Sequence, residues 1–233
     1  IACMRRKFSK SSSRPTRLTT RAAMGKALIA DPELPLKVAS GRLDEIRPCI
    51  GCLRCIDNQT VKGKGIMCSV NAATGREWMS ETKPPLKRKR VFVIGGGPAG
   101  MEAARVSALR GHEVTLYEKQ RQLGGQLLEA VVPPHKDNMK PFLEYLRNQM
   151  ARRGVNVKLG VEATPGLVSD AAPDEVILAA GVVTGVPRIR GIDAVGVLTA
   201  KEVLNGAGVG NRVVVIGGGL VGCETAEFLA QQK

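Results

Sequence analysis

The stretch Val91-Phe92-Val93-Ile94-Gly95-Gly96-Gly97-Pro98-Ala99-Gly100, carried on by Met101-Glu102-Ala103-Ala104, decides the fold. Four consecutive apolar residues predict a fully buried strand. Three glycines at G-x-G-x-x-G spacing predict a turn into an apolar helix. Gly95 permits the tight turn, Gly97 lets backbone approach a pyrophosphate, and Gly100 lets helix and strand pack closely. The phosphates of a dinucleotide would sit on the helix N-terminus beside Pro98 and Ala99, where free N–H groups and the dipole favour anions. A glycine fingerprint alone is a weak signal, and a ligand-free glycine turn is its plain alternative. Here a second strand, Glu113-Val114-Thr115-Leu116-Tyr117, ends in Glu118. That is close to the ~20-residue offset of an acid that binds a ribose hydroxyl.

Working outward, Lys119 follows the acid, and Leu123-Gly124-Gly125-Gln126-Leu127 offers close backbone approach to a second part of the cofactor at Gly125 and Gln126. A helix is predicted from about Asn138 to Arg152, with Met139, Phe142, Leu143, Leu146 and Met150 on its core face and Gly154 as its stop. Val155 to Leu159 reads as a strand. Glu175 to Gly181 reads as another, ending in the small residues Ala180 and Gly181 where backbone would pass a bound dinucleotide. Val213-Val214-Val215-Ile216-Gly217-Gly218-Gly219-Leu220-Val221-Gly222 repeats the opening design, with its glycines 122 residues after the first set. Two phosphate cradles, one centred on Gly95, Gly97 and Gly100 and one on Gly217, Gly219 and Gly222, imply two nucleotides. Paired units of this kind bring a nicotinamide to a flavin. The second unit is expected to be incomplete, because the acid or Arg that tells NAD from NADP should follow roughly 20 residues after its glycines. The chain therefore reads as a fragment.

Upstream, Cys49-Ile50-Gly51-Cys52-Leu53-Arg54-Cys55 is followed after twelve residues by Cys68. Thiols at C-x2-C-x2-C-x12-C spacing can wrap one compact inorganic core, as iron–sulfur clusters require. Zinc is the main rival, although zinc ribbons join two separate C-x2-C knuckles. Two disulfides are the third reading, with nothing to indicate secretion. Gly51, Gly63 and Gly65 would let this loop bend. Cys223 is expected to be a small packed residue, and neither His135 nor Cys3 is given a role.

The net charge of +14 is unevenly spread: residues 1–90 carry 20 Lys/Arg against 7 Asp/Glu, and the rest carry 15 against 14. The nucleotide-binding part is therefore nearly neutral. With aromatics at 3%, stacking platforms for single-stranded nucleic acid are not expected. No apolar run approaches a membrane span of ~20 residues, so neither a nucleic-acid partner nor a membrane is expected. Residues 1–22 are Arg- and Ser-rich and acid-free, like a transit peptide; a disordered or aberrant end is the alternative. The basic, Pro-containing run 81–90 reads as a linker.

These residues resemble the C-terminal half of the iron–sulfur flavoproteins related to old yellow enzyme. The motifs that carry the resemblance are Ala27-Leu28-Ile29-Ala30-Asp31-Pro32, Arg47-Pro48-Cys49-Ile50-Gly51-Cys52, Cys68-Ser69-Val70-Asn71 and both glycine fingerprints in order. Family members include 2,4-dienoyl-CoA reductase, trimethylamine dehydrogenase and 2-enoate reductases. The resemblance implies an α/β fold: the tail of an FMN-binding TIM barrel (23–48), an iron–sulfur segment (49–80), a Rossmann-like FAD- or ADP-binding domain (91–210) and the start of an NAD(P)-binding domain (211–233). It implies a 4Fe-4S cluster on Cys49, Cys52, Cys55 and Cys68, and electron flow from NAD(P)H through FAD and cluster to FMN and a small-molecule alkene substrate. It also implies a cytoplasmic enzyme and a homo-oligomer in the full-length protein. Where the family has Gly-Arg against the FMN phosphate, this chain has Gly25-Lys26, which keeps the charge and loses the bidentate fork. The leader does not resemble barrel sequence, which favours an aberrant end over a transit peptide. Two other readings stay open: an electron-input subunit like that of glutamate synthase, whose Cys-Pro pattern is missing here, and a non-catalytic FAD-binding module.

Overall fold

The computed structural model describes residues 24–79 and 84–232. Residues 1–22, including Cys3, lie outside that range. The chain divides into two compact units, 1–80 and 81–233. Among the described residues no helix is long and apolar enough to cross a membrane.

In the first unit, α1 (Gly25–Ala30) and α2 (Leu34–Ala39) form a short hairpin. Pro35 in the first turn of α2 costs no hydrogen bond, since that amide is unpaired in any helix. Ala27, Ala30 and Leu34 are buried. Asp31, between the helices, is buried and tied to Lys37 at 2.8 Å. The cysteine-bearing loop follows, containing the single helical turn α3 (Arg54–Ile56) and a wide turn over Asp57–Val61.

The second unit is built on β1 (Arg90–Ile94), α4 (Pro98–Leu109) and β2 (Glu113–Glu118). The turn α5 (Leu127–Ala130), the helix α6 (Lys140–Arg152), β3 (Asn156–Leu159), α7 (Pro165–Ala171) and β4 (Glu175–Leu178) come next. The four strands form one parallel sheet in the order β3-β2-β1-β4. After β1 the chain winds to β2 and β3 on one side, then crosses to β4 on the other. The strand order therefore reverses between β1 and β4, where open α/β sheets leave a ligand crevice at the carboxyl ends of the strands.

The core lies between sheet and helices. Val91, Val93, Val114 and Leu116 meet Met101 and Ala104 of α4 and Leu143, Leu146 and Met150 of α6. These helix positions recur at three- and four-residue spacing, as a single buried face requires. On the opposite sheet face Phe92 and Tyr117 meet edge-on, ring centroids 5.1 Å apart. The expected helix 138–152 is observed from Lys140, after a 3-10 turn over Asp137–Met139.

Beyond β4, the short helix α8 (Ala200–Leu204) starts in a capping box of Thr199 and Glu202, and α9 (Leu220–Gln231) follows the second glycine set. The expected strand over Val213–Ile216 is not formed: the segment has no ladder partner among the described residues, and Val214 and Ile216 are exposed. A strand is defined by inter-strand hydrogen bonds, so apolar β-branched sequence alone cannot make one. For the same reason Cys223, expected to be packed, is exposed: no sheet covers its side of α9 among the described residues.

Candidate functional site

At the end of β1 the backbone turns at Gly95 with φ +110°. A side chain there would also run into the Ala179 carbonyl oxygen just past β4, 2.3 Å from the added carbon. A Cβ on Gly100 would sit 1.8 Å from the Gly95 carbonyl oxygen. Both glycines are therefore enforced by backbone contact, with the strand end, the helix start and the β4 end pressed together. Gly97 differs. It caps α4 with extended backbone (φ −75°, ψ −179°), and a Cβ there would meet only the Gly125 Cα, at 3.8 Å. Its lack of a side chain leaves free space at the helix N-terminus, where a phosphate can approach backbone.

Pro98 and Ala99 open α4, and the first amide bonded within the helix is Met101 N–H, to the Gly97 carbonyl at 2.9 Å. The Ala99 and Gly100 amides thus belong to the first turn, which has no intrahelical acceptor.

The acid at the end of β2 is buried against this turn. Glu118 Oε2 accepts the Gly96 N–H at 2.6 Å, and Oε1 accepts the Gln120 N–H at 2.8 Å. A carboxylate offers about four lone-pair sites, so these two amides leave two unused. Lys119 points into solvent. The Gly124–Gly125 pair backs onto the fingerprint: Gly124 N–H donates to the Gly96 carbonyl at 2.9 Å, and a Cβ on Gly125 would lie 2.8 Å from the Gly97 Cα. Gln126 caps α5 and is exposed. Ala180 and Gly181 continue from β4 past Gly95. The two glycine segments and the end of β4 thus meet at one place, beside Glu118.

Arg147 also shapes this site. From α6 it donates through Nη2 and Nε to the Leu123 carbonyl, at 2.6 and 3.2 Å, and so fixes the approach to Gly124. Nothing local signals a contact 24 residues away.

The second glycine set reproduces the turn without the sheet. Gly217 has φ +111°, Gly219 has φ −77° and ψ −178°, and a Cβ on Gly222 would sit 2.0 Å from the Gly217 carbonyl oxygen. These values match the first turn closely. The segments are also joined from the loop before α6 to α9: Lys136 forms an ion pair with Glu224 at 2.5 Å, and Nε2 of His135 lies 3.5 Å from the Glu227 carboxyl group.

In the first unit, Cys49, Cys52, Cys55 and Cys68 line one pocket, together with Lys26, Ile29, Ile50, Leu53, Ser69 and Val70. All four thiols are free, so neither disulfide is formed. They line the pocket without converging: among the described residues no three His, Cys, Asp or Glu side chains meet at metal-ligand geometry. Sharing one pocket leaves them placed to close onto a metal, since a metal site is completed when the metal binds. Gly51 and Leu53, on either side of Cys52, both have left-handed backbone, with φ of +70° and +56°. For Leu53 that conformation costs on the order of 1 kcal/mol or more and persists only where the surroundings impose it. Gly63 is also left-handed and Gly65 is not.

Asp31 and Asn71, two residues of the sequence motifs, hold the cysteine loop in place. Asp31 accepts the Arg47 N–H at 2.8 Å, two residues before Cys49. Asn71, three residues after Cys68, accepts from Arg47 Nη1 at 3.0 Å and donates to the Ile29 carbonyl at 3.0 Å. Both arms of the cysteine loop are thereby fastened to the α1–α2 hairpin. Gly25 and Lys26 open α1, and Lys26 reaches the cysteine pocket.

Residues 89–233 match the family model described as pyridine nucleotide-disulphide oxidoreductase. The chain belongs to this family. It is 46% identical over 217 residues to the NADH oxidase of Thermoanaerobacter brockii, covering 90% of this chain and 33% of that protein. It is 40% identical over 215 residues to the cinnamate reductase of Clostridium sporogenes, covering 92% and 32%. Among solved structures, a 2-naphthoyl-CoA reductase complex with 2-naphthoyl-CoA aligns with TM-score 0.85 and 36% identity, covering 89% of this chain and 32% of that one. The chain thus spans about a third of the length of the relatives it matches. The resemblance to flavoproteins related to old yellow enzyme, read from the motifs, holds.

Proposed function

We propose that this chain is the electron-transfer part of an NAD(P)H-dependent iron–sulfur flavoprotein oxidoreductase, passing electrons from NAD(P)H through FAD and a 4Fe-4S cluster to FMN and an enoate- or enoyl-type substrate. The observation that carries this reading is the meeting of Gly97, Gly125 and Glu118 at the switch point of a parallel sheet. A second turn of the same geometry follows in the same chain, and four free thiols share one pocket. Similarity to a cinnamate reductase and a 2-naphthoyl-CoA reductase supports an unsaturated acid or acyl thioester as the substrate class.

The residues fit both groups. Gly97 leaves room for the pyrophosphate, the Ala99 and Gly100 amides supply donors, and Glu118 has lone pairs free for the adenosine ribose. Gly125 and Gln126 line the path toward the flavin. Cys49, Cys52, Cys55 and Cys68 supply the four thiolates a cubane cluster needs. Bound there, FAD would supply two-electron hydride chemistry and the cluster would supply one-electron transfer. The chain's own part is to hold these groups, fix the Glu118 carboxylate on two backbone amides, and fasten the thiolate loop through Asp31 and Asn71. Gly217, Gly219 and Gly222 begin the nicotinamide site, and Gly25 and Lys26 the FMN phosphate contact on the tail of a barrel. A cytoplasmic location and a homo-oligomeric full-length protein belong to the same reading.

Metal and flavin content of anaerobically purified chain tests it. About four irons, about four sulfides and one FAD per chain are expected. Stoichiometric zinc without sulfide would sink the cluster, and FAD without any metal would leave only a dinucleotide-binding module.

A further inference from the structure

Ser69 stands beside Cys68. Its hydroxyl lies 3.3 Å from Sγ of Cys52, on the other arm of the cysteine loop. It lines the pocket shared by all four thiols. With Cys52 as a free thiol, the S–H donates and the hydroxyl accepts. A ligating cysteine is a thiolate with no proton to give, and a serine hydroxyl can rotate to serve either role. On metal binding the contact must therefore invert, with Ser69 donating and sulfur accepting.

We infer that Ser69 is a positioning residue whose hydroxyl donates a hydrogen bond to the Cys52 thiolate and raises the reduction potential of the cluster the four cysteines hold. This rests on the cluster reading above. Adding an electron makes cluster and ligands more negative, and a donor fixed on a ligand sulfur favours that more negative state. Cys52 is the position where such a donor matters. It is exposed, whereas Cys49, Cys55 and Cys68 are half-buried. A side-chain donor there replaces water that would have to reorient at each electron transfer. The Gly51 N–H, 3.4 Å from Sγ of Cys49, is the corresponding backbone donor on a neighbouring ligand. Of the four sulfurs, Cys49 thus has a backbone donor and Cys52 has Ser69.

The test is an EPR-monitored redox titration of the full chain, reconstituted anaerobically with iron and sulfide. Wild type is compared with Ser69→Ala and with the isosteric pair Ser69→Thr and Ser69→Val. Ser69→Ala and Ser69→Val are expected to hold a full complement of iron and to titrate at a more negative midpoint. Ser69→Thr should return toward wild type, because it alone restores the donor. An unmoved midpoint with an intact cluster overturns the role of Ser69 and leaves the cluster reading standing. Equal shifts in the Thr and Val variants also overturn it, since shape and not the hydroxyl would then be responsible. If only the hydroxyl-bearing chains assemble a cluster, Ser69 serves assembly and the tuning role fails. Zinc without iron in the wild type is a separate result and fails the cluster reading itself.

Discussion

Gly97 and Gly100 sit three residues apart in one fingerprint and are there for different reasons. At Gly100 the space is filled by the Gly95 carbonyl, 1.8 Å from any added carbon, and that atom is backbone. Gly100→Ala should destabilise the second unit by about 3 kcal/mol, the upper end of what overpacking costs, and thermal unfolding would show it. At Gly97 the space is open, and the backbone angles are ones that alanine adopts freely. Gly97→Ala should leave the unfolding temperature of the FAD-free chain unchanged while weakening FAD binding at least ~10-fold, or about 1.4 kcal/mol, by titration calorimetry. Equal losses of stability in the two variants would mean that both glycines serve packing alone.

Between elements, the Asp31 carboxylate joins α1, α2 and the segment leading to Cys49, accepting from Lys37, the Glu33 N–H and the Arg47 N–H. Asp31→Ala would leave the Lys37 ammonium buried without its main partner, which costs about 3–5 kcal/mol. Chemical denaturation of the first unit should show that loss, together with faster alkylation of the four thiols. In the second unit, Asp174 accepts the Arg90 N–H at 2.6 Å and so joins the turn before β4 to the start of β1. That backbone hydrogen bond, helped by the charges of Lys87, Arg90 and Lys89, holds the carboxyl below its usual range. Its folded pKa is depressed, so its contribution to stability is present above the unfolded value of about 3.9 and is lost as pH falls through the lower, folded one. Wild type and Asp174→Asn should therefore differ in stability at neutral pH and converge below about pH 4, as acid unfolding curves would record. Parallel curves at every pH would rule this out.

At the scale of the molecule, the thiol pocket lies wholly within residues 1–80 and the glycine crevice wholly within 81–233. Each has its own packing and its own hydrogen bonds. Cys52→Ser should accordingly abolish cluster absorbance while FAD binds with unchanged stoichiometry, measured on the same sample by metal analysis and flavin absorbance. Loss of FAD along with the cluster would show that the two units depend on each other for folding.

By itself the sequence determined whatever rests on local chemistry. A run of apolar, mostly β-branched residues before G-x-G-x-x-G has few alternatives, because only glycine tolerates the turn at Gly95 and the contact at Gly100. The acid Glu118 at the end of the next strand and the core face of α6 follow from the same short-range periodicities. Tertiary structure decided what depends on distant partners. Arg147 clamps Leu123 from 24 residues away, and Asp31 and Asn71 fasten the cysteine loop, because a hydrogen bond needs an acceptor that no local pattern announces. The strand expected at Val213–Ile216 fails for the same reason. Its sequence supplies β-propensity as good as that of β1, but a strand exists only through neighbours, and β1 has β2 and β4 beside it.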